Sequence, residues 1–265
     1  MKEFNYHRPT KAAEAVSLIK KARNGKLMSG GMTLIPTMKQ GLASPSDIID
    51  LGGVKNSGIT ATTGRVSIKA GTTHTQVAES EALKKTLPAL ATVAGGIGDP
   101  HVRNKGTIGG SIANNDPAAD YPAAVMGLGA TVITNARKLP AEKFFTGMFT
   151  TALKRDEIVT AVEFPVPRRA AYAKFPNPAS RYAMVGVFVA QDKGGKVRVA
   201  VTGAGPSVFR VPEMEAALER SFTPDALAGV TINANGLNSD MHGSAEYRAH
   251  LVNVMARRAV AAAAR

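Results

Sequence analysis

The chain has 265 residues, 44% of them hydrophobic, and a formal charge of +13 from 33 Lys and Arg against 20 Asp and Glu. That length is ample for one large or two smaller cores, and without a long apolar run the chain is expected to be globular, with no membrane span. It contains no cysteine, which excludes disulfides, thiolate zinc sites and any iron–sulfur cluster held by this chain alone.

The opening MKEFNYHRPTKAAEA lacks the apolar core of a secretory signal. The expected location is therefore cytoplasmic, or periplasmic if a signal-bearing partner exports the chain. A helix is expected after Pro9, with Thr10 as N-cap, Ala13, Val16 and Ile19 on its apolar face and Asn24-Gly25 as its stop. Residues 26–28 read as a short strand delivering the turn Ser29-Gly30-Gly31-Met32-Thr33, and 47–51 read as the next strand. A βαβ unit thus closes a first lobe near residue 55. Residues 65–70 alternate apolar and polar side chains as a half-buried strand does, and 75–83 and 88–95 read as helices.

Residues 95–120, GGIGDPHVRNKGTIGGSIANNDPAAD, are read as one long loop holding Gly95, Gly96, Gly98, Gly106, Gly109 and Gly110. Glycine costs conformational entropy where it is not needed, so this density implies tight turns or close approach of something other than a side chain. Backbone N–H groups beside Gly109, Gly110 and Ser111 would suit phosphate oxygens, and with the 29–33 turn they match the two ends of a pyrophosphate. Each loop taken singly reads equally as a structural turn. The run 96–101 fails the dinucleotide fingerprint, because His101 stands in place of the third glycine and Pro100 is read as spoiling the helix start. No phosphate loop of the Walker type occurs, so a Rossmann domain and a P-loop nucleotidase are both disfavoured.

A short helix over 121–127 and a strand over 131–134 follow. Residues 164–169, with two prolines and two arginines, suggest a boundary. Beyond it, 180–191 and 196–202 form a hairpin across the turn at 192–195. The chain ends in a helix capped by Ser244, with Tyr247, Leu251, Val254 and Met255 on one face. The basic residues are scattered as pairs and aromatics are only 5%, so no nucleic-acid platform emerges; the basic face is either solvated or meets an acidic partner. His7, His74, His101, His242 and His250 show no metal-ligand spacing, and Ser207 and Ser221 lack a nucleophile-elbow context.

Read together and in order, Tyr6-His7-Arg8-Pro9, SGGMTLIPTMK at 29–39, IGDPHVRNKGTIGGSIANNDPAADYPAA at 97–124, Glu157-Ile158-Val159 before Phe164-Pro165, and Glu246-Tyr247-Arg248 resemble the FAD-binding medium subunits of the molybdenum hydroxylases. The resemblance runs over nearly the whole chain. It implies an α+β fold: a two-lobed, PCMH-type (vanillyl-alcohol-oxidase-like) FAD-binding domain over 1–168, with lobes of about 1–55 and 56–168, and an antiparallel sheet with helices over 169–265. It also implies non-covalent FAD, and a small iron–sulfur subunit and a large molybdenum-cofactor subunit as partners in a heterotrimer or a pair of heterotrimers. An external electron acceptor would take the electrons, and no side chain of this chain would act as nucleophile or metal ligand.

By this resemblance Ser29, Gly30, Gly31, Met32 and Thr33, with Thr107, Ile108, Gly109, Gly110 and Ser111, would line the pyrophosphate. Asn114 would offer a polar side chain, and Asp120 would bond cofactor hydroxyls, unless it simply caps the next helix. Ile158 and Val159 would press on the flavin ring while also serving as strand core. Lys174 would stand near the ring's polar edge. Tyr182 would cover one face of the ring and gate the acceptor, or pack as an ordinary strand aromatic. Two other classes are weighed: a self-contained flavin oxidoreductase resembling the enolpyruvyl sugar reductases, and a non-enzymatic basic binding module.

Overall fold

A computed structural model describes residues 1–264, which form an α+β fold with three main sheets. The first lobe is a parallel sheet in the order Asn5–His7, Asp47–Asp50, Gly25–Met28. The helix Ala12–Lys21 covers it, burying Ala15 and Ile19 against Ile49. Gly25 permits that approach: a Cβ there would lie 2.7 Å from Ala22 Cβ and 2.8 Å from Ile19 Cδ1. Ala13 is exposed, and the helix begins at Ala12 after Lys11, with no side-chain cap. Thr10 instead donates its N–H to Glu14 Oε2 at 3.1 Å, and Ala22 rather than Asn24-Gly25 ends the helix.

The second lobe is an antiparallel sheet of five strands in the order Ile59–Ala61, Arg65–Lys69, Val159–Pro165, Thr131–Thr134, Lys138–Pro140. Its helices differ from the expectation in two places. The single helix anticipated over 75–83 is two, His74–Glu79 and Glu81–Thr86, because Ser80 leaves helical geometry and caps the second one through Leu83 N–H. The glycine-dense stretch is also largely helical, comprising Pro100–Lys105 and Ile108–Asn114. Pro100 does not spoil the first of these; it sits at the opening position, where its missing N–H costs nothing, and Asp99 caps Val102 N–H at 3.1 Å.

The third sheet is antiparallel in the order Arg169–Pro176, Ala183–Gln191, Val197–Thr202, Phe209–Arg210. Every residue of Ala183–Gln191 is buried, because both faces are covered. Val185, Val187 and Val189 pack with Leu251, Val252 and Met255 of the helix Ala245–Ala263. Phe188 and Ala190 share the core of the second lobe with Leu90, Ala124 and Phe164. Ser244 caps the long helix through Tyr247 N–H as anticipated, but Tyr247 itself is 40% exposed and Arg248 is the buried residue of that turn. The strand expected from 180 begins only at Ala183, so Tyr182 stands in the preceding loop.

Candidate functional site

A cleft of about 1060 Å³ lies between the two lobes and is completed by the loop 177–182 of the third sheet; ligand clefts commonly occupy roughly 300–1,000 Å³. The 29–33 turn and the Thr107 segment meet at its base. Ser29 Oγ and Thr107 Oγ1 share a hydrogen bond of 2.9 Å across 78 residues of chain. Gly30 is glycine because the contact is between backbones: a Cβ there would collide with the Lys105 carbonyl and lie 2.9 Å from Gly106 Cα. Gly31 takes φ +72°, which glycine adopts without strain.

The two glycine segments then divide their work unequally. At the start of Ile108–Asn114 the N–H groups are already committed: Ile108 to Thr72 O at 3.1 Å, Gly109 to Ala70 O at 2.9 Å, Gly110 to Thr107 Oγ1 at 3.1 Å and Ser111 to Thr107 O at 2.9 Å. They are therefore not the free donors anticipated from the sequence. The N–H groups of residues 30–33 have no partner among the described residues. Unlike the 107–111 segment, this turn therefore presents a donor set that fits a pyrophosphate.

Of the sixteen residues singled out from the sequence, Ser29, Gly30, Gly31, Met32, Thr33, Thr107, Gly109, Gly110, Ser111, Asn114, Asp120, Ile158, Val159 and Tyr182 line the cleft. Ile108 does not; it is fully buried in the main core. Lys174 does not line it either. Its Nζ is held by Asp120 Oδ2 at 2.9 Å and by the Gly96 carbonyl at 3.1 Å, so its charge reaches the cleft already paired. Asp120 also accepts from Tyr172 Oη at 2.5 Å and makes no side-chain cap to the helix Tyr121–Gly127. Burial pushes the Asp120 carboxyl above its ordinary range, against the opposing pull of Lys174 and Tyr172.

Several cleft residues were missed. Glu157 was quoted only as part of a motif, yet it anchors the wall: Arg137 grips it bidentately at 2.8 and 2.9 Å, Thr134 Oγ1 donates at 2.7 Å and Lys154 N–H at 3.0 Å. Those bonds, Arg137 first, hold its carboxyl down at about 2. Asn135 pins the next residue, with Oδ1 accepting from Ile158 N–H at 2.7 Å and its own N–H donating to Ile158 O at 3.0 Å. His74 also lines the cleft, and burial with the nearby Arg103 charge lowers it to about 4, so it is neutral near pH 7. Asp116 is a further cleft carboxyl, raised by burial and bonded only to Ala118 N–H at 2.9 Å. Sequence patterns carry no signal for these, since Glu157 and Asn135 act through partners about twenty residues away and His74 and Asp116 through burial that only the fold creates. Among the described residues no group of three His, Asp or Glu side chains is arranged to hold a metal.

Two family models cover this architecture: the FAD binding domain in molybdopterin dehydrogenase matches residues 2–167, and the CO dehydrogenase flavoprotein C-terminal domain matches residues 170–263. The chain belongs to the FAD-binding medium subunits of the molybdenum hydroxylase family. This medium subunit is 35% identical to the nicotine 6-hydroxylase medium subunit of Paenarthrobacter nicotinovorans over 97% of its own length and 96% of the relative's. It is 34% identical to the carbon monoxide dehydrogenase medium chain of Afipia carboxidovorans, covering 97% and 95%. Its fold superposes on reconstituted CO dehydrogenase from Oligotropha carboxidovorans with a TM-score of 0.89 at 32% identity, covering 99% and 98%. The medium subunit is thus a component of an oxidoreductase and carries that family's FAD-binding domain over residues 2–167.

Proposed function

We propose that this chain is the electron-transfer subunit of a molybdenum hydroxylase complex, in which electrons from iron–sulfur clusters of a partner pass through its FAD to an external acceptor. The carrying observation is the cleft itself, with unpaired N–H donors at residues 30–33 and no cysteine anywhere in the chain to ligate a cluster. Clusters and molybdenum cofactor would therefore reside in a small and a large partner, with the whole a heterotrimer or a pair of heterotrimers. No described helix is long and apolar enough to cross a membrane. A cytoplasmic assembly fits the reading, and so does export alongside a signal-bearing partner. The functional division of the chain is taken at 1–168 for cofactor binding and 169–265 for the covering domain.

Bound FAD would supply redox chemistry able to take electrons singly and release them in pairs. The chain's own residues would do the holding. Residues 30–33 would donate to the pyrophosphate, Ser111 Oγ and Asn114 would offer further polar contacts, and Ile158 and Val159 would form an apolar wall stiffened by Asn135 and Glu157. Tyr182 would cover the cleft mouth and exclude water. The chain has no cysteine to attach a flavin, and in this reading no histidine attaches it either, so the cofactor would be non-covalent. Co-purification with the two partners, followed by acid precipitation, tests this: FAD in the supernatant supports it, and a chromophore that stays with the precipitate contradicts non-covalent binding. Reduction of that flavin by a reduced cluster-bearing partner tests electron transfer.

A further inference from the structure

One wall of the cleft carries a buried side chain that lies outside both glycine segments. Thr73 caps the helix His74–Glu79 in a reciprocal box with Gln76, which sets His74 at its first position. The start of that helix is stitched to the Thr107 segment from both sides: His74 N–H donates to Gly106 O at 3.0 Å, and Ile108 N–H donates to Thr72 O at 3.1 Å. The imidazole is thereby held against residue 106, where only glycine fits, since a Cβ would lie 2.5 Å from His74 Nε2. Gly106 in turn meets Gly30, whose own Cβ would lie 2.9 Å from Gly106 Cα. All three residues line the cleft. Two residues without side chains thus bring Nε2 close beside the 29–33 turn.

Nothing within the protein uses either ring nitrogen. The residue is 5% exposed, yet neither Nδ1 nor Nε2 makes a hydrogen bond among the described residues, and Nδ1 is sealed from solvent. Buried polar atoms are almost always bonded, so this exception calls for a partner from outside the chain. Burial and the nearby Arg103 charge keep the ring neutral, so one nitrogen bears a hydrogen and the other a lone pair. The Arg103 charge that disfavours a second cation here favours an anion. Tyr121 bears on which nitrogen holds the hydrogen. Its ring packs on the imidazole at 5.3 Å, burial keeps its phenol protonated, and its hydroxyl is also without a partner. A phenol donates and an imidazole lone pair accepts, so these neighbours favour a bare Nδ1 on the inner side and an N–H at Nε2 on the cleft side.

We propose that His74 is a cofactor-binding residue whose Nε2–H donates to the pyrophosphate seated on residues 30–33. The assignment rests on the FAD reading above and adds to it a donor from the helix His74–Glu79. In this role His74 takes up neither an electron nor a proton; it presents a rigid, uncharged donor to a buried anion.

The test uses the complex with its partners after removal of FAD, titrated calorimetrically with FAD, with ADP as the fragment that bears the pyrophosphate and with adenosine as the fragment that lacks it. His74→Phe keeps a ring to pack on Tyr121 but has no nitrogen. It is expected to raise Kd for FAD and for ADP about tenfold, as for loss of one hydrogen bond to a charged group, and to leave adenosine unchanged. His74→Leu, smaller and also without a donor, guards against a misfitting ring and should reproduce the loss. His74→Gln keeps an N–H near the Nε2 position and should hold FAD and ADP close to the native affinity. That order separates binding from packing, because Gln suits an apolar site less well than Phe, and a purely structural histidine would make the Gln variant the weakest binder. Native ADP affinity in both His74→Phe and His74→Leu, equal weakening of adenosine, or weaker ADP binding in His74→Gln than in His74→Phe overturns the assignment. A native complex that binds neither FAD nor ADP would instead remove the FAD reading itself.

Discussion

Tyr172 donates its hydroxyl to Asp120 Oδ1 at 2.5 Å, joining the first strand of the third sheet to the start of the helix Tyr121–Gly127. Gly186 on the adjacent strand makes this possible, since a Cβ there would collide with the Tyr172 hydroxyl. Lys174, two residues on and on the same face of its strand, completes the grip. The cleft carboxylate Asp120 is therefore positioned from the covering domain.

Tyr172→Phe leaves Asp120 Oδ1 without its donor inside the protein and is expected to lower stability by about 1.5–3 kcal/mol. Asp120→Ala strands the buried Lys174 charge and should cost more, about 3–5 kcal/mol. Urea denaturation of the two variants checks the order. Equal losses would mean that the ion pair contributes little.

Gly30→Ala drives a methyl group into the Lys105 carbonyl and pushes the two cofactor segments apart. The overpacking is expected to cost about 1–3 kcal/mol, felt mainly as weaker FAD binding, because it separates the 29–33 turn from Thr107. Flavin fluorescence titration of the complex measures it. Gly41 faces open space at φ +77°, so Gly41→Asn serves as a surface control that leaves FAD affinity unchanged.

Acid sensitivity has two sources with separate windows. His74 drops from 6.5 to about 4 on folding. The unfolded chain takes the proton first, so stability present above pH 6.5 falls away down to pH 4, by on the order of 3 kcal/mol. Glu157 drops from 4.5 to about 2, so its contribution is present above pH 4.5 and is lost as pH falls toward 2. Arg137 is 40% exposed, which reduces this second contribution to on the order of 2 kcal/mol. Denaturation midpoints across pH 7–4 should flatten in His74→Gln and keep their slope in Glu157→Gln.

Asn115 is fully buried at φ +45° and donates through Nδ2 to Gly147 O at 2.7 Å and Thr150 O at 2.8 Å. Asn115→Asp keeps the backbone preference but turns an oxygen toward those carbonyls; a loss of about 3 kcal/mol or more is expected. Thermal unfolding checks it. A neutral effect would mean that the hairpin Phe145–Gly147 and Thr150–Thr151 is not held by this residue.

The order of the elements was legible from local patterns: alternation over Arg65–Lys69, the turn at 192–195 and the cap at Ser244 all depend on neighbours in sequence. The 95–120 stretch was harder, because its glycines suggested a loop, whereas Gly109 is there so that a helix can lie against Ala70, with a Cβ only 2.5 Å from Ala70 Cβ. The 29–33 segment was legible as a turn because its glycines precede a helix without being inside one. Lys174 was placed at the cofactor by resemblance, but its carboxylate partner lies 54 residues away and is found only in three dimensions.

The central claim is that the cleft between the lobes holds FAD through the 29–33 turn. Its most direct measurement is the absorbance of the complex purified with its partners, before and after acid release, for the native chain and for Gly30→Ala. The account predicts flavin bands that move into the supernatant as FAD from the native complex and are greatly diminished in the variant. A colourless native complex that takes up no added FAD, or a variant that binds FAD as tightly as the native chain, would contradict it.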